Sequence, residues 1–203
     1  MARRIAQAAI KVNAISNTQF GAIESPSAID ALFAITHPAS NTLAIPIVTA
    51  SRKPRPDRPA FLANDTQGAF NNTDPIRLVR VMEARQMPRY LSQWVSSFIK
   101  DRTLAFCFDN SSEEPQPYNS GLPQRSLTSP VLFLIYVQAM LEAPKYLKDK
   151  DISYPDDDGA LQLSNAQPFA VRRLQERMDL QLQRGAQLNL PGKVRPDPFL
   201  ADL

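Results

Sequence analysis

Cysteine and histidine are almost absent from this chain of 203 residues, which contains one of each, Cys107 and His37. A single cysteine excludes a disulfide framework within the chain, and the two residues together are too few for a structural zinc site. Any bound metal ion must therefore use oxygen ligands. Such ligands favour magnesium, manganese or calcium.

Long apolar runs are missing as well. No run approaches the roughly 20 residues needed to cross a bilayer, and the first residues lack the apolar core and cleavage pattern of a signal peptide. The sequence therefore predicts an intracellular protein with no membrane partner. Its hydrophobic content of 43% is enough to bury a core, and its net charge of +3 permits a nucleic-acid partner without establishing one.

Three consecutive acids, Asp156–Asp158, stand within a stretch of strand character, 152–161. Adjacent like charges repel, and apolar flanks carry them toward the core, so the arrangement is costly unless a cation neutralises it. A second short apolar strand, 59–65, also ends in an acid, Asp65. Together these features predict a metal site at strand ends, and the alternative is a solvated Asp-rich turn.

Periodicity, caps and breakers predict the secondary structure. Helices are expected over 2–14, 26–37, 74–85, 88–99, 126–147 and 167–187, and extended segments over 42–49, 59–65, 104–108 and 116–119. The proline-rich basic segment 51–59 is expected to be an exposed loop. The mixed order of strands and helices indicates an α+β or α/β fold with helices packed on one sheet.

The same periodicities predict which side chains are buried. Trp94, Phe98, Phe106 and Phe108 are expected in the core, because their spacing follows helix and strand periods. In the helix 167–187, three apolar residues are expected on one face and three arginines largely on the solvated opposite face. These are Leu174, Met178 and Leu182, and Arg172, Arg173 and Arg177.

Three blocks of sequence resemble the palm motifs of reverse transcriptases, with the closest match to the non-LTR, LINE-like retrotransposon branch. They are Asp65-Thr66-Gln67-Gly68-Ala69-Phe70, then Ser120-Gly121-Leu122-Pro123-Gln124 continuing to Pro130, then Tyr154-Pro155-Asp156-Asp157. Segments 18–32 and 185–193 resemble the flanking blocks of the same family. Five blocks in order are a much more specific signal than any one of them.

The resemblance implies an α+β fold, with a palm-like antiparallel sheet backed by helices and a partial fingers region. It implies RNA-directed DNA synthesis by two-metal nucleotidyl transfer, with Mg²⁺ or Mn²⁺ as cofactor and an RNA template, a DNA primer and dNTP as partners. By the same resemblance, Asp65, Asp156 and Asp157 would be the catalytic metal ligands, with the Thr66 carbonyl as a further oxygen ligand. Phe70, Gly121, Leu122, Pro123, Gln124 and Lys193 would contact nucleotide, template or pyrophosphate. A one-residue shift would make Asp157 and Asp158 the functional pair instead.

The chain also departs from the family pattern. Arg125 replaces a glycine and is expected to hinder nucleotide or template access. Asn71 replaces an acid. Pro155, which cannot donate to a sheet ladder, is expected to distort the acidic hairpin.

The resemblance divides the chain into a partial fingers region with the basic loop (1–58), a palm-like core (59–193) and a tail (194–203). The chain is therefore expected to be a truncated palm, whose remaining fingers and thumb other segments would supply. Its activity is expected to be impaired. The alternative is a degenerate, inactive retrotransposon relic that at most binds nucleic acid. A nuclear location is expected from the resemblance alone.

Overall fold

A computed structural model describes residues 1–16, 18–24, 27–43, 57–109, 111–118, 120–141, 149–154, 157–188, 190 and 192–194. Its helices are α1 (Ala2–Lys11), α2 (Ala28–Leu43), α3 (Ala69–Asn72), α4 (Pro75–Ala84), α5 (Arg89–Ile99), α6 (Ser129–Leu141) and α7 (Gln167–Gln187). Its strands are β1 (Arg58–Thr66), β2 (Thr103–Leu104), β3 (Cys107–Phe108), β4 (Ser111–Ser112), β5 (Gln116–Pro117), β6 (Asp149–Tyr154), β7 (Asp157–Ser164) and β8 (Gly192–Val194). Helices and antiparallel strands are mixed along the chain, so the predicted α+β class is confirmed.

The chain forms two compact units. The first comprises Met1–Ile15 and Gly68–Gln138, and the second comprises Ser16–Gln67 and Ala139–Leu203. Because both units are discontinuous in sequence, each is assembled from segments that are distant along the chain. The predicted boundaries after residues 58 and 193 stay a prediction.

The first unit contains α1, α3, α4, α5 and most of α6, together with the short strands β2–β5. Every side chain from Val131 to Gln138 in α6 is buried. A helix that is buried all round is expected to be apolar all round, as this one largely is. Within the described residues, no helix combines the length and the apolar composition needed to cross a bilayer.

Helix α4 begins where the sequence predicts. The Asp74 carboxylate accepts hydrogen bonds from the backbone N–H groups of Ile76 (2.9 Å) and Arg77 (3.0 Å). Pro75 occupies the first helical position, where its missing N–H costs nothing. The predicted start of the helix over 74–85 is confirmed.

Asp74→Ala should lower the free energy of unfolding by about 1 kcal/mol, because two N–H groups at the start of α4 lose their acceptor. Urea denaturation followed by circular dichroism measures this change. Glu83→Ala, at an exposed position of the same helix, is the matched control and should stay within about 0.5 kcal/mol of the unmodified chain. Equal losses in the two variants would contradict the capping role.

The second unit contains an antiparallel sheet. Within the described residues its strand order is β6-β7-β1-β8, with β1 and β7 in the centre. Successive residues of a strand face opposite sides of a sheet. On one side, Ala60 and Ala160 pack with Ala170 and Leu174 of α7. On the other side, the sheet packs against α2.

Helix α2 extends further than predicted. Its start is fixed by a capping box, in which the Asp30 carboxylate accepts from the Ser27 N–H and the Asp30 N–H donates to the Ser27 hydroxyl. Those bonds to Ser27 hold the pKa of Asp30 below its usual value. The predicted end at Pro38 is wrong, because buried residues on either side of the proline, Ala31 and Thr42, hold the helix in place.

The prediction of a strand over 104–108 with buried aromatic side chains is wrong. The segment forms only the two-residue strands β2 and β3, and Phe106 and Phe108 are 65% and 78% exposed. The apolar pattern is present, but within the described residues no buried layer covers it. Further along, residues 44–49 of the expected extended segment and most of the basic loop lie outside the described residues. Residues 142–147 of the expected long helix lie outside them too.

Candidate active site

The strand register brings Asp65 and the acidic hairpin together. Asp65 lies near the end of β1, where it pairs with Asp157 of β7 on one side and with Lys193 of β8 on the other. Directly paired residues in antiparallel strands lie on the same face of the sheet. Positions 65, 157 and 193 therefore share one face, although they are distant in sequence.

The same register separates the next acid from this group. Position 158 pairs with Asn64, so it belongs to the opposite face, toward α7. Asp156 and Pro155 lie outside the described residues, and so does any distortion of the hairpin by Pro155. The residues on either side of them, Tyr154 and Asp157, are paired in the antiparallel ladder of β6 and β7.

The face that carries Asp65 borders a pocket of about 320 Å³. Its walls are formed by α2, through residues such as Ala28 and Leu32, and by the sheet, through Phe61 and Ile152. Asp65 is half-buried at this pocket, and Thr66 is buried at the end of β1. The end of β1 is thus part of a structured environment.

The donor types at this strand end suit a hard divalent cation. Carboxylates and a backbone carbonyl are oxygen ligands of the kind that Mg²⁺ and Mn²⁺ prefer. Among the described side chains, no group of three or more His, Cys, Asp or Glu residues is gathered at one point. The suitability of this strand end for a divalent cation therefore depends on its oxygen ligands and on the paired positions of Asp65 and Asp157.

The other predicted residues lie together in the first unit. Phe70, in α3, is half-buried and places its ring 5.5 Å from that of Phe133 in α6, measured between centroids. Its carbonyl oxygen accepts a hydrogen bond of 2.7 Å from the Leu122 N–H. Leu122 is itself buried, and Pro123 accepts a bond from the Ser129 hydroxyl. The predicted segment 121–124 is therefore attached to the helix that carries Phe70.

Gly121 lies in the left-handed region of backbone space, with φ of +57°. A Cβ atom at this position would overlap the Phe70 carbonyl oxygen and would lie 2.6 Å from the Cα of Asn71. Only glycine combines this conformation with so close an approach. The structure thus gives a packing reason for the glycine.

Gln124 and Asn71 bind each other. The Gln124 amide donates to the Asn71 side-chain oxygen over 3.0 Å, and the Asn71 carbonyl accepts from the Ser120 hydroxyl over 3.2 Å. The residue that replaces the family's acid thus takes part in holding the loop. The asparagine side chain accepts the Gln124 hydrogen bond without carrying a charge.

Arg125 is exposed and has a φ of +62°. Glycine adopts this conformation without steric cost, whereas other residues pay about 1–2 kcal/mol. The backbone at this position therefore suits the glycine of the family pattern better than the arginine that is present.

Arg102 binds the backbone of the loop at Gly121, a contact that the sequence did not predict. Its guanidinium donates to the carbonyl oxygens of Ser120 (3.0 Å) and Gly121 (2.6 Å), and it lies 5.4 Å from the centre of the Tyr118 ring. The acceptors are backbone groups 18 and 19 positions away. No local sequence signal marks such a contact.

A family model described as reverse transcriptase (RNA-dependent DNA polymerase) matches residues 1–190. The match includes Asp65, the loop at Gly121 and the acidic hairpin. No curated protein matches the sequence significantly.

Proposed function

Because the chain belongs to the reverse transcriptase family, we propose that its reaction is RNA-directed DNA synthesis by two-metal nucleotidyl transfer, and that it derives from the non-LTR, LINE-like branch. The observation that carries the proposal is the pairing of Asp65 with Asp157 across adjacent strands. The three palm-like blocks in order support the assignment to the branch. A nuclear location is part of the same proposal.

Asp65, Asp156 and Asp157 are proposed to hold the metal ions, with the Thr66 carbonyl as a further ligand. Polymerases of this family generally use divalent metals. When bound, such ions activate the primer hydroxyl and stabilise the leaving pyrophosphate oxygen. The contribution of this chain is to supply negative charge and oxygen ligands on strands that fix their spacing.

The remaining residues are proposed to position the substrates. Phe70 would limit the space beneath the incoming sugar, and Gly121, Leu122, Pro123 and Gln124 would contact template or nucleotide. Their mutual hydrogen bonds hold this surface in a defined shape before any substrate binds. Lys193, whose strand position is next to Asp65, would neutralise or protonate pyrophosphate.

We further propose that this activity is impaired, and the left-handed backbone of Arg125 is the observation that favours it. A long cationic side chain stands where the family pattern has glycine, and its backbone conformation is strained as well. The second candidate function follows from this. An inactive relic would retain the fold and bind template and primer, but would not extend the primer.

Primer extension separates these functions, with an RNA template annealed to a labelled DNA primer, dNTP, and Mg²⁺ or Mn²⁺. We expect weak extension by the unmodified chain and a rise of about 10- to 100-fold in Arg125→Gly combined with Pro155→Ala, because a displaced substrate loses rate on this scale. Arg125→Gly alone should leave the free energy of unfolding unchanged or raise it by up to about 1 kcal/mol.

The matched control is Leu127→Gly, at an exposed position of the same loop that is not left-handed. It should lose about 0.5–1 kcal/mol of stability and gain no activity. If the doubly altered chain is folded and binds template and primer but extends nothing, the relic function is correct. If it neither binds nor extends, both functions are wrong.

A further inference from the structure

The buried stripe by which α7 packs on the sheet includes polar residues. Its buried positions are Ala170, Leu174, Arg177, Gln181 and Gly185, at a spacing of four, three, four and four residues. The expectation that Arg177 lies on the solvated face is therefore wrong. Its side chain is 5% exposed, and its guanidinium nitrogens are out of contact with solvent. Among the buried side chains of the described residues, it is the single charged one.

The position of this charge follows from the packing of α7. The first part of the stripe, Ala170 and Leu174, packs on Ala60 of β1 with Leu62 beside it. The next even position of β1 is Asn64, which faces the same side and is 3% exposed. Neither polar atom of the Asn64 side chain has a hydrogen-bond partner within the described residues. A polar layer thus lies beneath the strand end that carries Asp65 on its other face.

A buried guanidinium is stable only near an anion, because the cost of removing it from water is several kcal/mol. The acids of α7 on either side of it, Glu176 and Asp179, are exposed. The helix packs on β1, β7 and β8. On these strands, position 158 is the acidic position on the α7 face, and it pairs directly with Asn64.

We propose that Arg177 is a positioning residue, and that its buried charge is coupled to the acid at register position 158, which pairs with Asn64 on the same face of the sheet. The proposal deepens the proposed function, on which it rests for the role of Asp157. Of the three consecutive acids, position 157 shares the face of Asp65 and is the proposed metal position, whereas position 158 shares the face of Asn64 and has the proposed structural role.

The physical role of such a pair of charges is to fix register. A slip of one residue in β7 would move each of its side chains to the other face. An ion pair that is satisfied in one register and broken in another penalises the slip, and specifying register is the best-attested use of buried polar groups. The pair would therefore keep Asp157 opposite Asp65.

A double-mutant cycle tests the pair in the full chain by urea denaturation without metal. Asp158→Asn and Arg177→Gln should each lower the folding equilibrium constant by about a hundredfold or more, since each removes one of two opposite charges and leaves the other uncompensated. The double variant should be at least about tenfold better folded than Asp158→Asn, because no uncompensated charge remains. Arg177→Lys, which keeps the charge, should retain more stability than Arg177→Gln.

The matched control is Arg172→Gln on the exposed side of α7, which should change the constant by less than about threefold. Additive losses in the double variant would overturn the proposal. If the single variants do not fold at all, a double variant that folds supports the pair, and a double variant that does not fold overturns it.

Metal response then separates this proposal from the proposed function. With Mn²⁺ as the probe, Asp158→Asn should keep the metal-induced rise in Tm of the unmodified chain, and Asp157→Asn should lose it. Loss in Asp158→Asn alone would overturn the roles proposed for positions 157 and 158. A chain that shows no response in any form contradicts the proposed metal site, while the double-mutant cycle without metal still decides whether positions 158 and 177 are coupled.

Discussion

Asp65→Asn should abolish the stabilisation that Mn²⁺ or Mg²⁺ gives to the unmodified chain. A ligand at a hundred times its Kd adds about 2.7 kcal/mol to the free energy of unfolding, and for a chain of this size that raises Tm by roughly 5–10 °C. The amide removes the charge that holds a divalent ion but keeps the shape of the side chain. Thermal denaturation at increasing metal concentration measures the effect.

Without metal, the two proteins should differ much less in stability. Asp65 is paired with the like charge of Asp157 on one side and with the opposite charge of Lys193 on the other, and each such pair contributes a few tenths of a kcal/mol to about 1 kcal/mol, with opposite signs. The free energy of unfolding of metal-free Asp65→Asn should therefore stay within about 1 kcal/mol of that of the unmodified chain. Asp179→Asn, at an exposed position of α7, is the control and should keep the full response. A full response in Asp65→Asn would place the ion elsewhere.

Gly121→Ala should lower the free energy of unfolding by about 2–5 kcal/mol, a large fraction of the 5–15 kcal/mol that stabilises a typical domain. A left-handed alanine costs about 1–2 kcal/mol, and overlap with neighbouring backbone adds about 1–3 kcal/mol. Relief of the overlap would move the loop away from Phe70 and break the bond from the Leu122 N–H. Urea denaturation gives the energy, and faster proteolysis within 120–128 reports the loss of loop attachment.

Gly68→Ala is a matched control, because Gly68 is also left-handed, with φ of +64°. The nearest atom to its added Cβ is the side-chain nitrogen of Asn72, at 2.8 Å, and a side chain can rotate away where a backbone cannot. It should therefore cost only about 1–2 kcal/mol. Similar losses at the two glycines would mean that conformation alone, and not the contact with α3, determines the role of Gly121.

Local signals in the sequence were sufficient for several elements. The N-cap and proline before α4, and the apolar periodicity of α5, gave helices that the structure confirms. These features depend on residues within one or two turns of each other.

The acids at the strand ends could be identified from the sequence, but their arrangement in space could not be predicted from it. The triplet 156–158 offers two ways to choose a functional pair, because adjacent aspartates are chemically alike. The register of β7 against β1 distinguishes positions 157 and 158 by face, with 157 opposite Asp65 and 158 opposite Asn64. That distinction exists only once two strands more than ninety residues apart are paired. The functional roles of these residues stay predictions.

By itself, the sequence determined the family, the α+β class and the elements whose signals are local. Tertiary structure alone decided which amphipathic faces are covered. It left Phe106 and Phe108 exposed, carried α2 past Pro38 and buried Arg177 beneath the sheet. The physical reason is that periodicity records which residues can share a face, whereas burial depends on whether another layer packs on that face.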